Sequence, residues 1–408
     1  MTPRPALHLT RGLIAAASLL AVHWAAAQSA PAMPAAASTP ASTPATAAAP
    51  TVDAVVKHYA NGVLAGYEDA LAGAQALHQA IQAFTAQPSA ERLEAARKAW
   101  LAGREWYGPT EAFRFYGGPI DDDKGPEGRI NAWPLDESYI DAVKGKAATG
   151  IVASKKQPIT KAALSRLNEK GGEENIATGW HAIEFLLWGQ DFNDSGPGDR
   201  SFEDFVDGKA PNADRRRQYL LAASELLVDD LRFLVRAWAP GAANYRRRFE
   251  AEGLEALRKM VVGIGSLSRG ELAGERLEVA MNTQDQEDEH SCFSDNTHRD
   301  VVQNALGIEN VWLGRYPRRD GSVLQGASLQ ALVASRNAAV AEQTTRDIAA
   351  SVAAAKAIQP PFDREIIGGK DAAGRQRVQA LIDALILQSK DLPRAAAAVG
   401  VTQLTRTK

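Results

Sequence analysis

The chain has 408 residues, 46 lysines and arginines against 49 acidic residues, and a formal net charge of −3. That near-neutral balance argues against a nucleic-acid or polyanion surface and points to a small partner. A single cysteine, Cys292, rules out an internal disulfide, so stability must come from core packing or a bound ion.

The first segment reads as an export signal. Arg4 and Arg11 precede an apolar run from Gly12 to Val22 that is too short to span a bilayer, and Ala25-Ala26-Ala27 has the small residues a signal peptidase cuts after. Cleavage is expected before Gln28, which makes 1–27 a signal peptide and the product periplasmic. Residues 28–50 are almost all Ala, Pro, Ser and Thr, with too little large apolar surface to offset ordering, and read as a disordered tether.

From Val55 to Phe84 apolar residues step by three and four, which keeps one helix face on a core. Gln87-Pro88-Ser89 ends that helix, and Ser89 can cap the next, which carries Leu93, Trp100, Leu101 and Tyr107. Gly117 to Gly128 reads as a loop, followed by short helices at 135–143 and 160–168. Gly171-Gly172 then sets off an apolar segment, 179–189.

In the second half, helices are expected through Tyr219 to Trp238 and Leu254 to Ile264, and long Ala-rich helices at 328–358 and from about 372 to 399. No alternating strand pattern appears. The nonapeptides 90–98 and 251–259 differ only at their third and seventh positions. Either the chain is duplicated, with helical bundles at 51–205 and 206–408, or two amphipathic helices share one job.

Three segments carry chemistry. In Gly179-Trp180-His181-Ala182-Ile183-Glu184-Phe185, a helix would be apolar nearly all round, so His181 and Glu184, three apart on one face, should both be buried. They either share a metal or satisfy each other. In Gln284 to His298, acidic residues stand with His290 and His298 next to a helix start, where Asp295 or Asn296 could also serve as a cap. Mixed oxygen and imidazole donors suit iron, manganese or zinc. In Tyr107 to Phe115, Glu111 and Arg114 sit among aromatics, as a buried ion pair or with Glu111 as a ligand.

Together these segments resemble the imelysin family, the imelysin-like iron-regulated proteins of bacterial envelopes. The family's Gly-x-His-x-x-Glu motif stands as Gly179, His181 and Glu184, and the likeness runs from about Thr51 onward. It implies an all-α fold of two similar helical bundles with a site between them, and a role in iron uptake. It further implies His181 and Glu184 as metal ligands, with Glu111, Asp285 and Glu289 as added carboxylates and Arg114, His290, Asp295 and His298 in support. The cargo would be iron, or zinc or another divalent metal, as free ion or small chelate, and the partner a membrane component of iron transport.

The family was once grouped with metallopeptidases, which makes a zinc protease the competing hypothesis. A helical zincin needs two histidines four apart with a glutamate directly after the first, whereas Ala182 follows His181 and Phe stands at 185. A di-iron oxidase would need Glu-x-x-His pairs from two helices, but here the order is reversed and occurs once. A purely structural scaffold would leave His181 and Glu184 without a task.

Overall fold

The computed structural model describes residues 49–193 and 195–405, so the expected signal peptide and nearly all of the tether lie outside the described residues. Helix α1 spans Val52–Ala86, with the Thr51 side chain accepting the Ala54 N–H at its start. After Gln87-Pro88, Ser89 accepts the Arg92 N–H and opens α2, Ala90–Tyr107. The two helices approach closely where Gly73 meets Gly103, since a Cβ on Gly73 would lie 3.0 Å from the Gly103 Cα.

Helix α3 is Gly179–Trp188, every residue of it buried, and α4 is Ala213–Trp238. Gly179 starts α3 at φ +88°, and a Cβ there would stand 2.5 Å from the Ile130 carbonyl oxygen. Only glycine fits both the backbone angle and the approach. Trp100 of α2 donates its indole N–H to the Trp180 carbonyl at 2.9 Å, joining α2 to α3.

The second half contains α5 (Leu254–Ser266), α6 (Thr297–Leu313), α7 (Ala338–Ala357) and α8 (Ala373–Ala398). Helix α5 does not stop near Ile264 as expected. It runs on through a π-helical segment, Leu267–Glu278, and a last α-turn, Val279–Thr283. The expected helix at 328–358 breaks in two, because Asn337 accepts the Val340 N–H and caps α7 afresh. Helices α7 and α8 pack together, and Gln388 of α8 donates to Ser268 of the π-helical segment at 2.8 Å.

The all-helical expectation holds. Among the described residues the strands are a short antiparallel hairpin, β1 (Arg315–Pro317) with β2 (Val323–Gln325). No described helix is long and apolar enough to cross a membrane.

Contacts between helices run across the boundary expected at 205/206. Helix α4 lies along α1, with His78 Nδ1 2.9 Å from Ser224 Oγ, so the first bundle needs a helix from beyond that boundary. The matched nonapeptides also lie in unlike surroundings. Leu93 is buried, while its counterpart Leu254 is 48 % exposed, and the match therefore lends no weight to duplication.

A candidate metal centre between the motif helix and the 284–300 segment

Burial on all sides of α3 leaves His181 and Glu184 no solvent, and they turn to each other: His181 Nδ1 lies 2.8 Å from Glu184 Oε2. The other carboxylate oxygen accepts the Ser294 N–H at 3.0 Å and its hydroxyl at 2.6 Å. Both oxygens of Glu184 thus have partners, which modifies the expectation that this carboxylate is itself a metal ligand. What stays free is His181 Nε2, buried with no hydrogen-bond partner among the described residues.

A second dyad stands beside the first. His290 Nδ1 is 2.8 Å from Asp300 Oδ2, its Nε2 is likewise buried and unpartnered, and the two imidazole centroids are 4.6 Å apart. Asp300, in the first turn of α6, also receives Arg104 of α2 at 3.0 Å, the Ser291 hydroxyl and the Asn296 amide. Burial first, and then nearby cationic groups, push both imidazoles down against the opposing pull of Asp300, His181 well below the usual histidine value and His290 to about 4. Neutral rings with Nδ1 turned to a carboxylate present a lone pair at Nε2. Burial raises Glu184 against the pull of Ser294; it acts likewise on Asp300, but Arg104 and His290 prevail and hold that carboxyl well below its usual range.

Glu111 lies nearby in the 3₁₀ turn Gly108–Phe113. Its Oε2 takes Arg114 at 2.6 Å and Arg276, from the π-helical segment, at 2.7 Å, while Oε1 is buried and unpartnered. Burial alone would raise this carboxyl, yet Arg114 and Arg276 overcome that and hold it low. Arg114 reaches Glu127 as well, at 3.0 Å, so it serves as the ion-pair partner expected of it.

The acidic block divides. Asp285 is exposed and accepts the Glu287 N–H at 3.1 Å, which makes it a cap outside the centre and corrects its expected ligand role. A side chain in such a turn is held by its own backbone rather than by a core. His298 is half-buried, with Nδ1 3.0 Å from the Asp295 carbonyl. Glu289 and Asp295 neighbour Asp191 and Asp363. Within that group, ligand oxygens of Asp191, Asp295 and Asp363 lie within 4.8 Å of one another, a separation that no trio including His181 reaches among the described residues. Burial and like charge raise Asp295 to about 8 and Asp191 to about 6.

Sequence reasoning missed Arg104, Arg276, Ser294 and Asp300 at the imidazole centre, and Asp191 and Asp363 at the acidic group. Asp300 carries a faint local signal as an acid in the first turn of a helix. Ser294 lies inside the marked 284–298 segment but had no assigned role, and the others reach their partners across long stretches of chain with nothing in their own neighbourhoods to mark them.

The arrangement defines an all-helical protein with a buried pair of carboxylate-held imidazoles supplied by α3 and the 284–300 segment. Residues 63–392 match the Imelysin family, and the chain belongs to it. Iron-regulated protein A of Synechococcus elongatus is 28 % identical over 338 residues, covering 79 % of this chain and 80 % of that protein. Among solved structures, an iron-regulated protein A precursor from Parabacteroides distasonis aligns with a TM-score of 0.68 at 21 % identity, over 87 % of this chain and 97 % of that one. An imelysin-like protein from Psychrobacter arcticum aligns at 0.59 and 15 % identity, over 86 % and 96 %. At these identities the two structures establish the shared fold.

Proposed function

We propose that the protein is an exported, periplasmic iron-binding protein acting in iron uptake, with His181 Nε2 and His290 Nε2 as the nitrogen donors to its cargo. One observation carries this reading: two buried imidazoles stand side by side, each with Nδ1 on a carboxylate and Nε2 unpartnered. That is how metal-ligating histidines are held, because the carboxylate fixes the tautomer and strengthens the donor. Glu184 and Asp300 are then the orienting carboxylates. Glu111, with its unpartnered Oε1, is the candidate oxygen donor and would close on the imidazoles with metal, since no trio that includes His181 stands within 4.8 Å among the described residues. Imidazole and carboxylate together suit iron, with zinc or manganese as competitors. The iron-regulated names of relatives from Synechococcus elongatus and Parabacteroides distasonis favour iron among these.

Titration of ferrous and ferric iron into wild type, His181→Ala, His290→Ala and Glu184→Gln, with melting of each metal-free form, tests the assignment. Loss of either imidazole should abolish tight binding. Glu184→Gln should weaken it by about 10–100-fold, as expected for an orienting partner. Equal affinity in all four proteins would end the assignment. Export is tested by the intact mass of protein recovered from the periplasm, and a mass that still includes residues 1–27 would count against it.

A further inference from the structure

Outside one group, most buried carboxylates among the described residues meet an arginine, and the exceptions, Glu184 and Asp347, have neutral donors instead. Arg104 takes Asp300, Arg276 takes Glu111, Arg200 and Arg216 take Asp141, Arg129 takes Asp230, and Arg377 takes Glu365. The group of Asp191, Glu289, Asp295 and Asp363 breaks that pattern. All four are buried, and none forms an ion pair with a described lysine or arginine. Asp191 Oδ1 accepts the Asn193 N–H at 2.8 Å, but its Oδ2 has no hydrogen-bond partner, and neither has any carboxylate oxygen of the other three. Glu289 is the most telling. It is 0 % exposed and lies against Asp363, Asp295 and the Thr297 side chain, with no cation beside it. Buried charge without a counter-ion is costly, and a bound cation removes the cost.

We propose that Asp191, Asp295 and Asp363, with Glu289 beside them, form an all-oxygen site for a hard divalent cation of the calcium type, which ties together three loops far apart in sequence. The loops are the one that leaves α3, the one that leads into α6, and the one that opens the short helix Asp363–Ile366. An oxygen-only donor set selects hard ions over iron(II) or zinc. Calcium readily takes a cage of protein oxygens, whereas magnesium keeps most of its waters and rarely occupies one. One oxygen from each of Asp191, Asp295 and Asp363 lies within 4.8 Å of the other two, close enough to share an ion. An open cavity of about 570 Å³, lined by Asp295, Ser294, Pro360 and Pro361, gives the ion a way in. This site shares a loop with the imidazole centre but no donor atom, and it stands whether or not His181 binds iron.

Calorimetric titration of calcium into chelator-stripped full-length wild type should give one bound ion per chain and a raised melting temperature, with magnesium weaker. Asp363→Asn and Asp295→Asn should each lower calcium affinity at least tenfold. Both variants should melt at or above wild type without metal, since each removes a like charge, and Glu289→Gln replaces either one that fails to fold. His181→Ala should bind calcium as wild type does. Absence of both binding and a melting shift in wild type, unchanged affinity in the carboxamide variants, or loss of calcium binding in His181→Ala would each overturn the proposal. Failure of wild type to bind iron would leave the calcium result intact and sink only the function proposed above.

Discussion

Asp300 holds more of the buried polar network than any residue of the Gly-x-His-x-x-Glu motif. It neutralises Arg104, orients His290 and anchors Ser291, all out of solvent. Replacing it by Ala strands a buried guanidinium, and loss of one partner of such a pair typically costs about 3–5 kcal/mol. Urea unfolding of metal-free Asp300→Ala should show that loss, and a change under about 1 kcal/mol would mean that the network relaxes around the gap. Gly179→Ala tests the other fixed point of the site. With φ +88° and a carbonyl oxygen 2.5 Å from the would-be Cβ, it should cost about 1–3 kcal/mol and weaken metal binding with it, because His181 is set by the start of α3. Unchanged stability in that variant would show the turn to be adaptable.

Helices α7 and α8 face each other through two acids, Asp347 and Asp391. Burial, and then the nearby Asp347, raises Asp391 to about 6. Arg394 beside Asp391 and Gln343 beside Asp347 compensate in part. The folded protein therefore keeps a proton here that the unfolded chain releases near pH 3.8. Between those two values the native state binds more protons, so this pair's contribution to stability is full below the lower one and is lost as pH rises to about 6. Asp391→Asn stays neutral throughout. Its melting temperature should match wild type at acid pH, exceed it increasingly up to about pH 6, and keep that lead above. A difference that does not vary with pH would mean that the two acids do not share a proton.

Across the molecule, helices from distant parts of the chain complete one another. Helix α4 covers α1, and Asn304 of α6 donates to the Gly108 carbonyl at 3.0 Å, next to the turn that carries Glu111. A fragment ending at 205 would lack α4 and expose the face of α1 around Leu77 and Ile81, which is buried here. It should show no cooperative thermal transition by circular dichroism. A cooperative melt would restore the bundle boundary read from the sequence.

The helices, the burial of His181 and Glu184 and their placement on one face were legible in the residues themselves, because three-and-four spacing and an all-apolar surround are local properties. So was Ser89 as a cap. The division of the acidic block was not. Asp285, Glu289 and Asp295 look alike in a row of acids, yet one caps a turn in solvent and two meet Asp191 and Asp363 from elsewhere in the chain. The run-on of α5 into π-helical turns, which brings Arg276 to Glu111, likewise had no local mark. Sequence by itself determined which segments are helical and which polar groups must be buried. Only the tertiary structure decided which lone pairs those groups keep, because a carboxylate or imidazole is committed or left free by partners that reach it across the fold, and their distance along the chain carries no pattern.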